Sequence, residues 1–526
     1  MGKHTFFNAS AWPTQFKEIK VNILSGFIVF LIALPLSIGI SVASGAPPSA
    51  GILAAIVGGL IGSLVSGSYV TITGPAAGLI VVILDSVTAL GHGNLQTGFR
   101  LTLAAIVIAG LLQLVFGYIK LGTLALAVPV NALQGMLTSI GLIIMIKQVF
   151  VLEGIKAESK SILMQLIEIP QRISENNLEI FMIGMVCLAT VIIFNYFPKI
   201  NKIIPAPLAA VTIGYFFSLF IDIEHPHQVS LINMHFDIGP KFLLRVPENI
   251  QDFFIFPLFE NLFSSEFIIA VLTIALVGSI ESVLSTAAVD KLDPQKRESD
   301  LNMDLISKGI CNTLLGFIGG LPVISEIVRS SANISNGATS RWSNFFHGLF
   351  IAIFILFATS ILNKIPLATF AAILIYVGFK LTNPKQILSI YKMGWEQVAV
   401  FLGTIIVTLA TDLLIGILFG TILNFIFNII HTGKIIDLFV IRRSVKVSGN
   451  TENINVNSDC VFSNILILKK LIEKSNSQNI KIEFDKNSFV DISSQMLLTN
   501  LKTKMHQKKK HVEYTGIEFM NVQSGH

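Results

Sequence analysis

Ser68-Tyr69-Val70-Thr71-Ile72-Thr73-Gly74-Pro75-Ala76-Ala77-Gly78 breaks an apolar run and restarts it. Its Tyr-Val-Thr-Ile-Thr portion is aromatic and β-branched, which favours an extended chain. Thr73 has the chemistry of a helix N-cap, and Pro75 suits an early helical position, where its missing N–H costs little. An apolar helix is expected from there to about Leu84. A half-helix that begins inside a membrane aims free N–H groups and a partial positive charge at whatever precedes it. Irregular backbone at membrane depth is tolerated where it is buried in protein or lines a cavity, and in transporters that cavity is commonly the substrate site. A positive helix end suits an anion. Alone, the stretch reads equally well as a loop between two ordinary helices.

Composition supports the membrane reading. The chain has 526 residues, 52% hydrophobic and only 13% charged, with mean hydropathy +0.73. These values belong to a polytopic membrane protein. Cys187, Cys311 and Cys460 are scattered and form neither a disulfide framework nor a metal pattern. A net charge of +5 gives no reason to expect nucleic acid as a partner. The first 20 residues lack a cleavable signal pattern.

Residues 1–22 read as a cytoplasmic N-terminal segment with an amphipathic tint. A first membrane repeat occupies 23–222, with about seven apolar spans, and a connecting loop follows at 223–252. A second repeat, again with about seven spans, occupies 253–433, and a small cytosolic α/β domain fills 440–526. The repeats look alike. Val128-Pro129 is followed twelve residues later by Gly141, and Ile365-Pro366 twelve residues later by Gly378. The break at Thr73-Gly74-Pro75 has its counterpart at Gly319-Gly320-Leu321-Pro322-Val323-Ile324-Ser325. An odd number of spans per half inverts the second relative to the first. Lys20, Lys120, Lys199, Lys202, Lys291, Arg297, Arg341 and Lys385 gather at boundaries on one side, with Lys156, Lys160 and Arg172 as exceptions in a longer acidic loop, which places both termini in the cytoplasm.

Intramembrane charges are functional candidates by default. Glu326 and Arg329 are three apart, so they share a helical face and can pair. They either neutralise each other, or Arg329 adds positive potential to an anion site beside the helix starts. Glu281 lies deep in an apolar span with Ser282, Ser285 and Thr286 within a turn. It carries a proton, holds a cation with hydroxyl help, or is a structural acid capped by those hydroxyls. Asp85, Asp412, His92 and His347 sit near span boundaries and form no metal pattern. No phosphate loop, nucleophile elbow or zinc motif is present, so an enzyme reading has no support, and without an ATP module the energy comes from a gradient. In the tail, Ser493 reads as a helix N-cap, and Lys508-Lys509-Lys510 as a solvated helix end.

Several stretches together resemble the SulP family of inorganic anion transporters: Ala33-Leu34-Pro35-Leu36, Ala43-Ser44-Gly45-Ala46-Pro47-Pro48, Thr73-Gly74-Pro75-Ala76, Gly319-Gly320-Leu321-Pro322, Arg329-Ser330-Ser331-Ala332-Asn333 and Gly337-Ala338. The tail resembles that family's STAS domain, with Phe489-Val490-Asp491-Ile492-Ser493 at the strand–Asp–hydroxyl turn and no final helix expected. The resemblance implies a helical polytopic protein of seven-plus-seven inverted repeats, core and gate domains, elevator-type alternating access and a homodimer in a bacterial inner membrane. It implies anion binding at Thr73, Gly74, Ala76, Ser325, Glu326 and Arg329. It places the coupling ion at Glu281 with Ser285, either a proton or sodium, and regulation at Asp491 and Ser493. Sodium-dependent bicarbonate members carry a hydroxyl where Ile327 stands here, and Glu326 is an additional acid; both departures keep proton coupling open. No cofactor is expected. The Ser-Ser-Ala-Asn run tilts the substrate toward bicarbonate over sulfate. The rivals are an uncoupled anion exchanger or channel, a dicarboxylate or nucleobase permease on the same fold, and a regulatory membrane protein.

Overall fold

The computed structural model describes residues 12–122, 128–159, 161–172, 175–231, 234–433, 435–485, 488–507 and 510–516. The first half comprises α1 (Trp12–Ala43), α2 (Pro48–Val65), β1 (Ile72–Pro75), α3 (Ile80–Gly91), α4 (Leu95–Tyr118), α5 (Val130–Leu152), α6 (Ile162–Gln171), α7 (Leu178–Tyr196), α8 (Pro198–Ile203) and α9 (Ala206–Phe220). A hairpin of β2 (His227–Leu231) and β3 (Met234–Ile238) follows. The second half comprises α10 (Ser265–Leu292), α11 (Leu301–Ile318), β4 (Val323–Glu326), α12 (Ile327–Ser335), α13 (Trp342–Leu362), α14 (Leu367–Thr382), α15 (Pro384–Lys392), α16 (Trp395–Ala410) and α17 (Leu413–Thr432). Among the described residues nine helices are long and apolar enough to cross a membrane, and three apolar helices are shorter. The expected seven-plus-seven segments correspond to α1, α2, β1 with α3, α4, α5, α7 and α9, then α10, α11, β4 with α12, α13, α14, α16 and α17.

Several helix starts follow local rules. Asn94, Asn177, Ser264, Asp300, Asn383 and Asp412 each accept a hydrogen bond from a first-turn N–H. Such caps satisfy N–H groups that have no intrahelical partner. The two half-helices belong with α2, α6, α8, α9, α13, α16 and the tail helix Ile465–Lys474, which open without such a cap. The turn Ala77–Leu79 leading into α3 opens at Ala76, and α12 opens at Glu326, both without a side-chain cap.

The chain divides into two compact units. The larger holds residues up to 125 and 140–381. Here α11 packs along α4 and α13 along α2, which are equivalent pairings when the halves are superposed in order. β1 and β4 pair antiparallel with Ile72 opposite Glu326, Thr73 opposite Ser325, Gly74 opposite Ile324 and Pro75 opposite Val323. The first residue of each strand faces the last of the other, so the ladder is two-fold symmetric. At the second expected repeat, a Cβ on Gly378 would lie 2.7 Å from the Gly141 carbonyl oxygen, so the matched glycines meet.

The smaller unit holds 126–139 and 382–526. Its tail is a four-stranded sheet in the order β5 (Arg443–Ser448), β6 (Thr451–Val456), β7 (Asn479–Phe484), β8 (His511–Thr515), with α18 (Ile465–Lys474) and α19 (Ile492–Gln507) as crossovers. Ile454, Ile465, Leu468, Ile482 and Leu498 form its dry core. β5 and β6 form an antiparallel hairpin whose first strand is exposed along its whole length, Val445 and Val447 included. Residues 1–11, Lys508, Lys509 and everything after Gly516 lie outside the described residues, and with them the expectations for the extreme N-terminus, two of the three consecutive lysines and the final helix.

Candidate functional site

The strand pair brings the two breaks together. Thr73, Ser325 and Arg329 are each at most 1% exposed. Arg329 stands in the first turn of α12, and its Nη2 donates to the Pro75 carbonyl at 3.2 Å. Its Nη1 occupies the space a side chain on Gly74 would fill. Gly74 thus admits the guanidinium to the start of the third segment. Nε and Nη1 have no hydrogen-bond partner. The carboxylate of Glu281 fills the space beside Gly78 in the same way, and its Oε2 has no partner. Ala76 is buried immediately before the turn that begins α3.

Three expectations are revised. Thr73 is not a helix cap: strand pairing carries the extended chain past it, and helical structure starts at Ala77. Glu326 ends β4 and is the N-cap residue of α12; it interacts electrostatically with Arg329, but its Oε1 has no hydrogen-bond partner, so the expected pair is not a hydrogen-bonded one. Ser282 and Thr286 do not serve Glu281. Both donate to Asp304 Oδ2, at 2.9 and 3.0 Å. Ser285 is buried on the same helix as Glu281.

Asp304 is the residue that sequence reasoning missed, with its partner Lys308. Both are fully buried on α11 and paired at 2.9 Å. Lys308 Nζ also donates to Thr73 Oγ1 at 3.0 Å, and Ser325 Oγ donates to Asp304 Oδ2 at 3.0 Å. One ion pair therefore holds the two facing hydroxyls of the strand pair. Asn312 fixes the other end of β4, accepting from Val323 N at 2.6 Å and donating to Val323 O at 3.2 Å. Asn344 accepts from Thr73 N at 3.2 Å. Ser330 and Asn333 on α12 bond Ile72 N and Val70 O, both at 2.8 Å. The arrangement offers two uncapped helix starts and a partly unpartnered guanidinium to a small anion.

In the tail, Asp491 caps α19, accepting from Ser494 N at 2.7 Å, and also accepts from Phe462 N and Asn428 Nδ2. Burial pushes its carboxyl above the usual carboxylate range. The cap is thus Asp491 and not Ser493, whose Oγ instead accepts from Val130 N at 3.4 Å. Among the described residues no group of three or more His, Cys, Asp or Glu side chains is placed to hold a metal ion.

The profile of the sulfate permease family matches residues 19–404. The putative sulfate transporter YvdB of Bacillus subtilis (strain 168) is 26% identical, covering 78% of this chain and 74% of its own. The bicarbonate transporter BicA of Picosynechococcus sp. is 26% identical over 81% and 72%. The solved structure of SLC26A9 superposes with a TM-score of 0.69 at 14% identity, over 97% of this chain and 86% of that one, a likeness of fold.

Proposed function

The chain belongs to the sulfate permease family and is an integral membrane transporter, not an enzyme; on that premise we propose that it moves a small inorganic oxyanion, bicarbonate or sulfate, by cation-coupled secondary transport. The observation that carries this is Arg329. A guanidinium at most 1% exposed, with two unpartnered nitrogens, lies between two helix starts that no side chain caps. Two buried guanidinium nitrogens without acceptors are costly, and an oxyanion supplies the acceptors while also meeting the N–H groups of the helix starts.

Glu281 is the coupling residue in this reading, because its carboxylate abuts the turn that opens α3. Ser282 and Thr286 are taken up by Asp304, which leaves Ser285 as the hydroxyl on Glu281's own face of α10 where a hard cation needs several oxygens. That supports a proton over sodium as the coupling ion. Alternating access is elevator-like, with the strand pair moving as one piece with α11 and α13, to which Asp304, Lys308, Asn312 and Asn344 tie it. The protein works as a homodimer in a bacterial inner membrane with both termini cytoplasmic, in keeping with the basic residues at its span boundaries.

The test is uptake of labelled bicarbonate and sulfate into proteoliposomes under independently set sodium and proton gradients. Proton-driven uptake that Glu281→Gln uncouples is the expected result. Flux indifferent to both gradients makes the protein an uncoupled exchanger or channel, and sodium-driven uptake makes Glu281 a cation ligand.

A further inference from the structure

Asp304 and Lys308 are buried charges that hold the strand pair and have no part in the coupling described above. The Lys308 ammonium lies 2.9 Å from Asp304 Oδ1 and 3.0 Å from Thr73 Oγ1. Ser282 Oγ, Thr286 Oγ1 and Ser325 Oγ converge on the same carboxylate at 2.9–3.0 Å. Two oxygens, Asp304 Oδ1 and Thr73 Oγ1, thus contact a fully buried ammonium, and three more hydroxyls, from α10 and β4, bond the other oxygen of the same carboxylate. Such an all-oxygen set is what a small hard cation selects. The charge here arrives on a four-carbon stem and cannot dissociate.

We propose that the Lys308 ammonium is a tethered cation filling a sodium-type site, holding both strands together and excluding sodium from them. The consequence for coupling rests on the transport reading above; the site itself does not. Without the ammonium, Asp304 is a buried charge with no counter-ion, a state costly enough to recruit a replacement. Truncating Lys308 opens both the charge deficit and the room. The sodium site is then exposed as a gain of ion dependence, which loss of a purely structural contact does not produce.

The experiment is thermal unfolding of the full-length protein in detergent at neutral pH, titrating sodium chloride against choline chloride at fixed ionic strength. For the unmodified protein, Tm is expected to ignore the exchange. For Lys308→Ala, Tm starts lower in choline and rises by about 3 °C or more by 100 mM sodium, following ligand-linked stabilisation. Asp304→Asn combined with Lys308→Ala removes the dependence. A Lys308→Ala protein that unfolds at one temperature in both salts overturns the proposal, as does an unmodified protein that sodium stabilises. Should Lys308→Ala fail to fold, Lys308→Ser leaves room and an added oxygen, and the same readings decide. Uptake by the unmodified protein in choline and in sodium is the second measurement. Uptake that requires sodium counts against the proton-coupled reading, no uptake of any anion counts against the transport reading, and in both cases the unfolding series decides the site.

Discussion

The two backbone breaks are alike in path and opposite in chemistry. Each is a four-residue strand leading to an uncapped half-helix, and the ladder between them is symmetric. The first break carries no charge and contributes space, at Gly74 for the Arg329 guanidinium and at Gly78 for the Glu281 carboxylate. The second supplies Glu326 and Arg329 itself. Repeats can therefore share a fold while dividing one site into a half that provides room and a half that provides charge.

That division is open to attack from either side. Arg329→Ala removes the charged half and is expected to cost about 3 kcal/mol of anion binding, roughly 100-fold in affinity by equilibrium binding; unchanged affinity removes Arg329 from the site. Gly74→Ala attacks the half that provides room. Its Cβ overlaps Nη1, so affinity should fall by about tenfold with the charge still present, and a variant that binds normally denies that the guanidinium needs that space. Gly78→Ala should displace the Glu281 carboxylate instead. Flux assays should then show weakened coupling at nearly unchanged affinity, the same signature as Glu281→Gln. Thr73→Ala deletes one hydroxyl contact to Lys308 and should cost about 1 kcal/mol, several-fold in affinity; a larger effect than that of Arg329→Ala contradicts the division.

The smallest effect lies outside the membrane. The Glu158 amide and then the Arg172 guanidinium hold the Glu168 carboxyl at about 2. Its contribution to the 153–178 segment is complete above about pH 4.5 and is lost as pH falls toward 2. An acid-tolerant protease should cut there faster at pH 3 than at pH 5, and Glu168→Gln should erase the difference.

Much of this was legible in the sequence. Pro75 and Pro322 mark the breaks because proline and glycine interrupt a helix whatever surrounds it. The matched Pro129–Gly141 and Pro366–Gly378 spacings anticipated the duplication. Strand pairing was not legible, since four-residue strands leave no period to read. Asp304 and Lys308 escaped because charges at the start of a span look like a solvated helix end, although their four-residue separation is that of a facing pair. The same spacing would have reassigned the hydroxyls of α10. Ser282 and Thr286 are four apart on one face, and Glu281 and Ser285 on another.

The symmetry of the β1–β4 register also bears on assembly. A contact in which each residue meets its counterpart's partner is isologous, the kind that closes a dimer of identical chains. The contact at the centre of the larger unit thus has the form of an interface between two copies, now internal to one polypeptide. Carried on one polypeptide, the two faces are released from having to be the same. Only an interface so released can place proline at the end of one strand and glutamate at the end of the other.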